Sequence, residues 1–180
     1  FFTDDSVMSL AVAQAIMECG SNYHDLSDRT VECMRRIGRI YPNCGYGSSF
    51  YHWLYSDDPK PYNSYGNGAA MRVSAAGFAA KDMEEVKILS KKVTEITHNH
   101  PEGLKGAEAT AVAVYLARTG SNILEIRDMI QKHYYSLDFT LDEIRSVYEF
   151  HAACQDSVPH AMAAFFQSEN LEEAIRIYFY

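Results

Sequence analysis

From Met83 to Ile96, the apolar side chains Met83, Val86, Leu89, Val93 and Ile96 recur at steps of three and four. Only a helix gathers that spacing onto one face. The same period returns in Val31, Met34 and Ile37, and again in Leu104, Ala107, Ala111, Val114 and Tyr115. Between Ser6 and Met17 the chain is apolar on nearly every side, which predicts a central buried helix. Sustained period-two alternation is absent. An all-α fold of roughly seven to nine helices is therefore expected, as a single domain over residues 1–180.

The punctuation agrees with that reading. Asp82 with Glu85, Thr140 with Glu143, and Asn170 with Glu173 each carry the spacing of a capping box before an apolar stripe. Pro42 should end the second helix and Gly120 the helix after Leu104. Between Tyr41 and Gly68 the period fails. This stretch is crowded with Gly, Pro, Asn, Ser and Tyr around a short apolar patch at Phe50, Trp53 and Leu54. A connection of that length inside a compact domain usually serves a function.

Charge narrows the partners. Sixteen Lys and Arg stand against 24 Asp and Glu, a formal net charge of −8 with no basic stripe, so duplex nucleic acid is not an expected partner. No apolar run reaches the length of a membrane span. The first residues lack the basic start and cleavage site of a signal peptide. Cys19, Cys33, Cys44 and Cys154 form no C-x-x-C pair, and reduced, buried thiols in a cytoplasmic protein are expected.

Three segments carry groups suited to chemistry. Thr3, Asp4, Asp5 and Ser6 open the apolar helix. Adjacent residues within a helix do not face each other, so Asp4 and Asp5 converge only if they precede the first turn. There they would offer Mg²⁺, Mn²⁺ or Ca²⁺ hard oxygen ligands; otherwise they cap the helix and favour its dipole. The second segment, Ser64-Tyr65-Gly66-Asn67-Gly68 followed by Ala69-Ala70-Met71-Arg72, combines close backbone approach with tiny residues that open a helix. It reads either as a phosphate cradle with inward N–H groups or as an ordinary turn. In the third, Thr97-His98-Asn99-His100-Pro101, the His-x-His pair has no further zinc ligand at a fitting spacing. A histidine here would contact a ligand or cap the next helix.

Taken in order, these segments resemble the ADP-ribosylglycohydrolase family. The resemblance lies in the Thr-Asp-Asp-Ser start, Gly-Asn-Gly-Ala-Ala-Met-Arg-Val from Gly66 to Val73, Thr-His-x-His-Pro followed by Gly106-Ala107, and Cys154-Gln155-Asp156-Ser157-Val158-Pro159. It implies an all-α orthogonal multi-helix bundle around a two-metal centre of Mg²⁺ or Mn²⁺. It further implies that Thr3, Asp4 and Asp5 ligate metal and that Asp4 and Asp5 are catalytic. Ser64, Tyr65, Gly66, Asn67, Gly68 and His98 would bind substrate. The implied activity is hydrolysis of the bond between ADP-ribose and an acceptor, on an ADP-ribosylated protein or a small molecule containing ADP-ribose. A non-catalytic, ADP-ribose-binding relative is the alternative.

The family pattern also includes a Gly-Asp-containing segment before Thr-Asp-Asp and a Gly-Gly-Asp-x-Asp-Thr segment after the last helix; neither is in this sequence. On that pattern the 180 residues alone would be weak in metal binding and in catalysis. Ser6 replaces the usual Thr and keeps its hydroxyl, and Ala75 stands where Pro is expected.

Overall fold

The computed structural model describes residues 2–145 and 151–179. Among them the chain forms eleven helices and no strand beyond an isolated bridge. The longest is α7 (Pro101–Arg118), and α4 (Gly68–Met71), α5 (Ser74–Ala79), α6 (Met83–Thr94), α8 (Ile123–His133) and α10 (Cys154–Phe166) all pack on it. Its buried face carries Gly103, Gly106, Ala107, Ala109, Ala111 and Val112, so neighbours can approach from several directions. At Gly77 of α5 the approach is closest, since a Cβ there would lie 2.4 Å from the Ala111 carbonyl oxygen. Only glycine permits that crossing.

The helix expected at the centre is not central. In α1 (Asp4–Cys19), Val7, Met8, Ala11, Val12, Ala15 and Ile16 are buried, against α2 (Leu26–Ile40) above all. Leu10 and Met17, however, are 66% and 74% exposed. Apolar composition on all sides therefore overstated burial, and the small-residue helix α7 takes the central place. The count of helices also exceeds the expectation because the irregular stretch contains α3 (Ser48–Tyr55) and the segment after Gly66 splits into α4 and α5. Phe50, Trp53 and Leu54 are the buried face of α3, with the Phe50 and Trp53 rings stacked at 5.5 Å.

The caps follow the sequence with small shifts. Asp82 Oδ1 accepts the Glu85 N–H at 2.9 Å, but the Glu85 carboxylate accepts from the Lys81 N–H instead of closing the box on Asp82. Before α11 (Leu171–Phe179) the same displacement occurs, with Glu173 accepting from Glu169. Complete boxes form at Thr140, before α9 (Leu141–Ile144), and at Asn122, before α8. The apolar stripe expected after Thr140 runs into residues 146–150, which lie outside the described residues. Cys33 and Cys154 are buried; Cys19 and Cys44 are half-buried; all four are free thiols. No helix among the described residues is long and apolar enough to cross a membrane.

Candidate functional site

The segment from Tyr62 to Gly68 has no apolar period of its own and takes its shape from its neighbours. On one side the Tyr62 N–H donates to the Thr97 carbonyl at 3.3 Å, and the Asn63 N–H to Asn99 Oδ1 at 2.8 Å. Asn63 sits at φ 54, a left-handed conformation that Asn tolerates better than most residues. On the other side the Asn67 N–H donates to the Ala152 carbonyl at 2.6 Å and the Cys154 N–H to the Tyr65 carbonyl at 2.8 Å. These bonds frame an antiparallel bridge between Gly66 and Ala153. The Cys154 thiol adds a bond to the Gly66 carbonyl at 3.2 Å. From α7, Gly103 comes so close that a Cβ there would stand 2.7 Å from the Ser64 carbonyl oxygen.

Held in this way, Ser64–Gly68 forms one wall of a cleft of about 770 Å³, within the range of small-molecule sites. Asp4, from the start of α1, and His98, from the loop between α6 and α7, line the same cleft. Three distant parts of the chain therefore meet at one place.

The loop's amides are not all directed at a ligand. The Gly66 N–H donates to Ser64 Oγ at 3.2 Å and the Asn67 N–H is engaged by Ala152, so both are satisfied within the protein. The Gly68 N–H has no acceptor among the described residues. The helix that follows is a single turn, four residues long, and contributes little dipole. The donors an anion could meet here are chiefly side chains: the Ser64 hydroxyl proton, still free because Oγ only accepts, and the His98 ring. Tyr65 is half exposed at the rim, with its ring 5.3 Å from that of His100.

Asp4 and Asp5 do not precede the helix, as their convergence required; α1 begins at Asp4. Successive helical residues point about 100° apart. Asp4 accordingly lines the cleft, whereas Asp5 lines a neighbouring apolar cavity that shares only Asn67 and Met71 with it. Thr3 occupies the N-cap position, yet its hydroxyl donates to Asp5 Oδ2 at 3.0 Å rather than accepting a backbone N–H. Partial burial, and then the charge of Asp5, raise the Asp4 carboxyl above the usual carboxylate range. A cation would relieve that strain, and the oxygens of Thr3, Asp4 and Asp5 are of the type Mg²⁺ or Mn²⁺ takes. The donor set fits in kind and is short in number: among the described residues, no group of three His, Cys, Asp or Glu side chains is placed to hold a metal ion. Further coordination would come from water or ligand oxygens.

Of the two loop histidines, one caps the next helix and the other borders the cleft. His100 is the N-cap of α7, with Nδ1 accepting the Glu102 N–H at 3.1 Å and Pro101 as the first helical residue. His98 borders the cleft and is only 5% exposed. Burial, and then the nearby Arg72 charge, push its imidazole down to about 2, so the ring is neutral. Its partners escaped the sequence reading. Thr97 Oγ1 lies 2.7 Å from His98 Nδ1, and the Arg72 guanidinium donates to the same oxygen at 2.6 Å. Arg72 is 1% exposed and also borders the cleft. The chain position of an arginine after four helix-forming residues gave no sign of burial; the Thr next to His98 was the one available clue.

The sequence model of the ADP-ribosylglycohydrolase family matches residues 1–179. The ADP-ribosylhydrolase ARH3 of Gallus gallus is 33% identical over 136 residues, 66% of this chain and 35% of that protein. Its counterpart in Homo sapiens is 27% identical over 142 residues, 69% of this chain and 38% of that protein. The matched part of the chain thus spans little more than a third of the length of these curated relatives. Among solved structures, an ADP-ribosylglycohydrolase-related protein complex superposes with a TM-score of 0.69, covering 98% of this chain and 63% of that one at 20% identity. That likeness bears on the fold.

Proposed function

Because the chain belongs to the ADP-ribosylglycohydrolase family, we propose that its cleft binds ADP-ribose and that the protein hydrolyses the bond between ADP-ribose and an acceptor. The observation that carries this reading is the meeting of Asp4, Ser64–Gly68 and His98 on one cleft of suitable size. In it, the Ser64 hydroxyl, the Gly68 N–H and His98 face the diphosphate, and the Tyr65 ring stacks on a planar or sugar face. Asp4 supports the reacting sugar. Cleavage breaks the C1″–acceptor bond through an oxocarbenium-like state, water adds its oxygen to C1″, and the proton goes to the acceptor. The Asp4 carboxylate stabilises the positive charge that develops at C1″.

Thr3, Asp4 and Asp5 would hold Mg²⁺ or Mn²⁺, which supplies Lewis acidity to oxygens bound beside it. The substrate class is an ADP-ribosylated protein or a small molecule containing ADP-ribose. The test is to incubate the full-length protein with a mono-ADP-ribosylated peptide and magnesium and to quantify released ADP-ribose by chromatography. Release that disappears in Asp4→Asn supports hydrolysis. Binding of ADP-ribose without release favours the non-catalytic alternative, and absence of both contradicts the proposal.

A further inference from the structure

Thr97 Oγ1 stands between two nitrogens, one from Arg72 at 2.6 Å and one from His98 Nδ1 at 2.7 Å. A guanidinium can only donate, so the oxygen accepts from Arg72. The Thr97 hydroxyl proton then has one destination. Thr97 is fully buried, and His98 Nδ1 is the only other hydrogen-bonding atom within reach among the described residues. If Nδ1 carried the proton instead, the hydroxyl hydrogen would be left buried without an acceptor, which native structures avoid. The hydroxyl therefore donates to Nδ1. A neutral imidazole whose Nδ1 accepts carries its proton on Nε2.

Nε2 is the atom nearest the glycine loop. It would lie 3.3 Å from a Cβ placed on Gly68 and 3.7 Å from one on Gly66. No hydrogen bond joins it to a described residue. Behind it, Arg72 has no carboxylate within ion-pair distance among the described residues. It also reaches the Val93 carbonyl at 3.5 Å and the Phe50 ring at 6.0 Å, and its Nε is buried without a partner. A buried cation with no counter-charge is costly unless something anionic approaches it.

We propose that Arg72 and Thr97 are positioning residues that lock His98 as a neutral Nε2–H donor, backed by a buried positive charge, for an anionic oxygen of a diphosphate in the cleft. Each bond in the row polarises the next, Arg72 toward Thr97 and Thr97 toward His98, which strengthens the donor at the cleft end. The neutral ring itself adds no charge, so the positive field comes from Arg72 behind it. This inference rests on the proposed ADP-ribose cleft for its ligand, but the tautomer is a property of the ligand-free protein.

The test has two arms. In ¹⁵N-labelled, ligand-free protein, long-range proton–nitrogen spectra should show an unprotonated, hydrogen-bonded Nδ1 and a protonated Nε2 on His98. A protonated Nδ1 at neutral pH overturns the relay. Calorimetry with ADP-ribose and with inorganic pyrophosphate should show about tenfold weaker binding of both in Thr97→Val, with Thr97→Ser restoring it. Unchanged affinity in a folded Thr97→Val protein also overturns the proposal. If Thr97→Val fails to fold, the His98 spectrum of the wild type and of Thr97→Ser still decides. Failure of the wild type to bind ADP-ribose contradicts the proposed function while leaving the tautomer arm intact.

Discussion

Replacing Gly103 with alanine tests whether α7 sets the shape of the cleft. A Cβ at this position would lie 2.7 Å from the Ser64 carbonyl oxygen and 3.3 Å from His98 Cβ. Ordinary contact begins at 3.4 Å, so the Ser64 backbone must retreat by about 0.7 Å in an interior too dense to absorb it freely. Overpacking of this kind costs about 1–3 kcal/mol, and the helix gains back about 1 kcal/mol when Gly becomes Ala. The net loss of stability is therefore small, on the order of 0–2 kcal/mol. Displacing Ser64 by most of an ångström, with a slight shift of His98, should weaken ADP-ribose binding far more, by about 10- to 100-fold. Gly77→Ala is the control. Its Cβ would lie 2.4 Å from the Ala111 carbonyl and 2.9 Å from Val114 Cβ, a harsher clash at a crossing that does not line the cleft. Urea unfolding and calorimetry on both variants separate the effects: Gly77→Ala should lose stability with affinity retained, and Gly103→Ala the reverse. Wild-type affinity in a folded Gly103→Ala protein would refute the reasoning.

Acid should destabilise the fold through His98. Burial, and then the Arg72 charge, hold its imidazole down to about 2 in the folded protein, far below the ordinary 6.5, so the unfolded chain takes the proton first. The stability is intact above about pH 6.5 and falls by about 1.4 kcal/mol per pH unit below it, or about 2 kcal/mol by pH 5. Urea midpoints for wild type and His98→Gln should diverge in slope over that window, and identical slopes would contradict the burial argument. Asp4→Asn is expected to abolish ADP-ribose release while leaving Tm without added divalent cation unchanged or slightly higher, because burial and Asp5 already disfavour the Asp4 charge. A fall of several degrees would mean that Asp4 is structural. Gly106→Ala should cost about 1–3 kcal/mol, since its Cβ would lie 2.7 Å from Cys154 Sγ. Adding Cys154→Ala should recover part of that loss in a double-mutant cycle, and additive losses would place the clash elsewhere.

Local physics explains what could be read from the sequence. α6 was legible because its stripe and its Asp82 cap lie within fifteen residues, and the box at Thr140 is equally local. The Ser64–Gly68 segment announced itself through its glycines. What holds that segment was hidden: Ala152–Cys154 meets it in one bridge, too short to carry a period. The burial of Arg72 depends on Thr97 and Val93, more than twenty residues away, and arginine is among the residues least often buried. Whether Asp4 and Asp5 both face the cleft turned on a single residue of helix boundary, the least certain quantity in any sequence reading. The neighbours that leave Leu10 and Met17 exposed belong to tertiary packing, which periodicity within α1 cannot report.

The central claim, that Asp4, Ser64–Gly68 and His98 form an ADP-ribose site, is tested most directly by titrating ADP-ribose into wild type and Gly66→Val. A Cβ on Gly66 would meet Ser64 Oγ at 3.4 Å, the Ala152 oxygen at 3.6 Å and His98 Nε2 at 3.7 Å. All three are ordinary contacts, so the variant should fold with its side chain standing in the cleft. The account predicts single-site binding to the wild type and binding weaker by at least about tenfold in Gly66→Val, with the same circular dichroism spectrum. Equal affinity in the two folded proteins, or no binding to either, would contradict it.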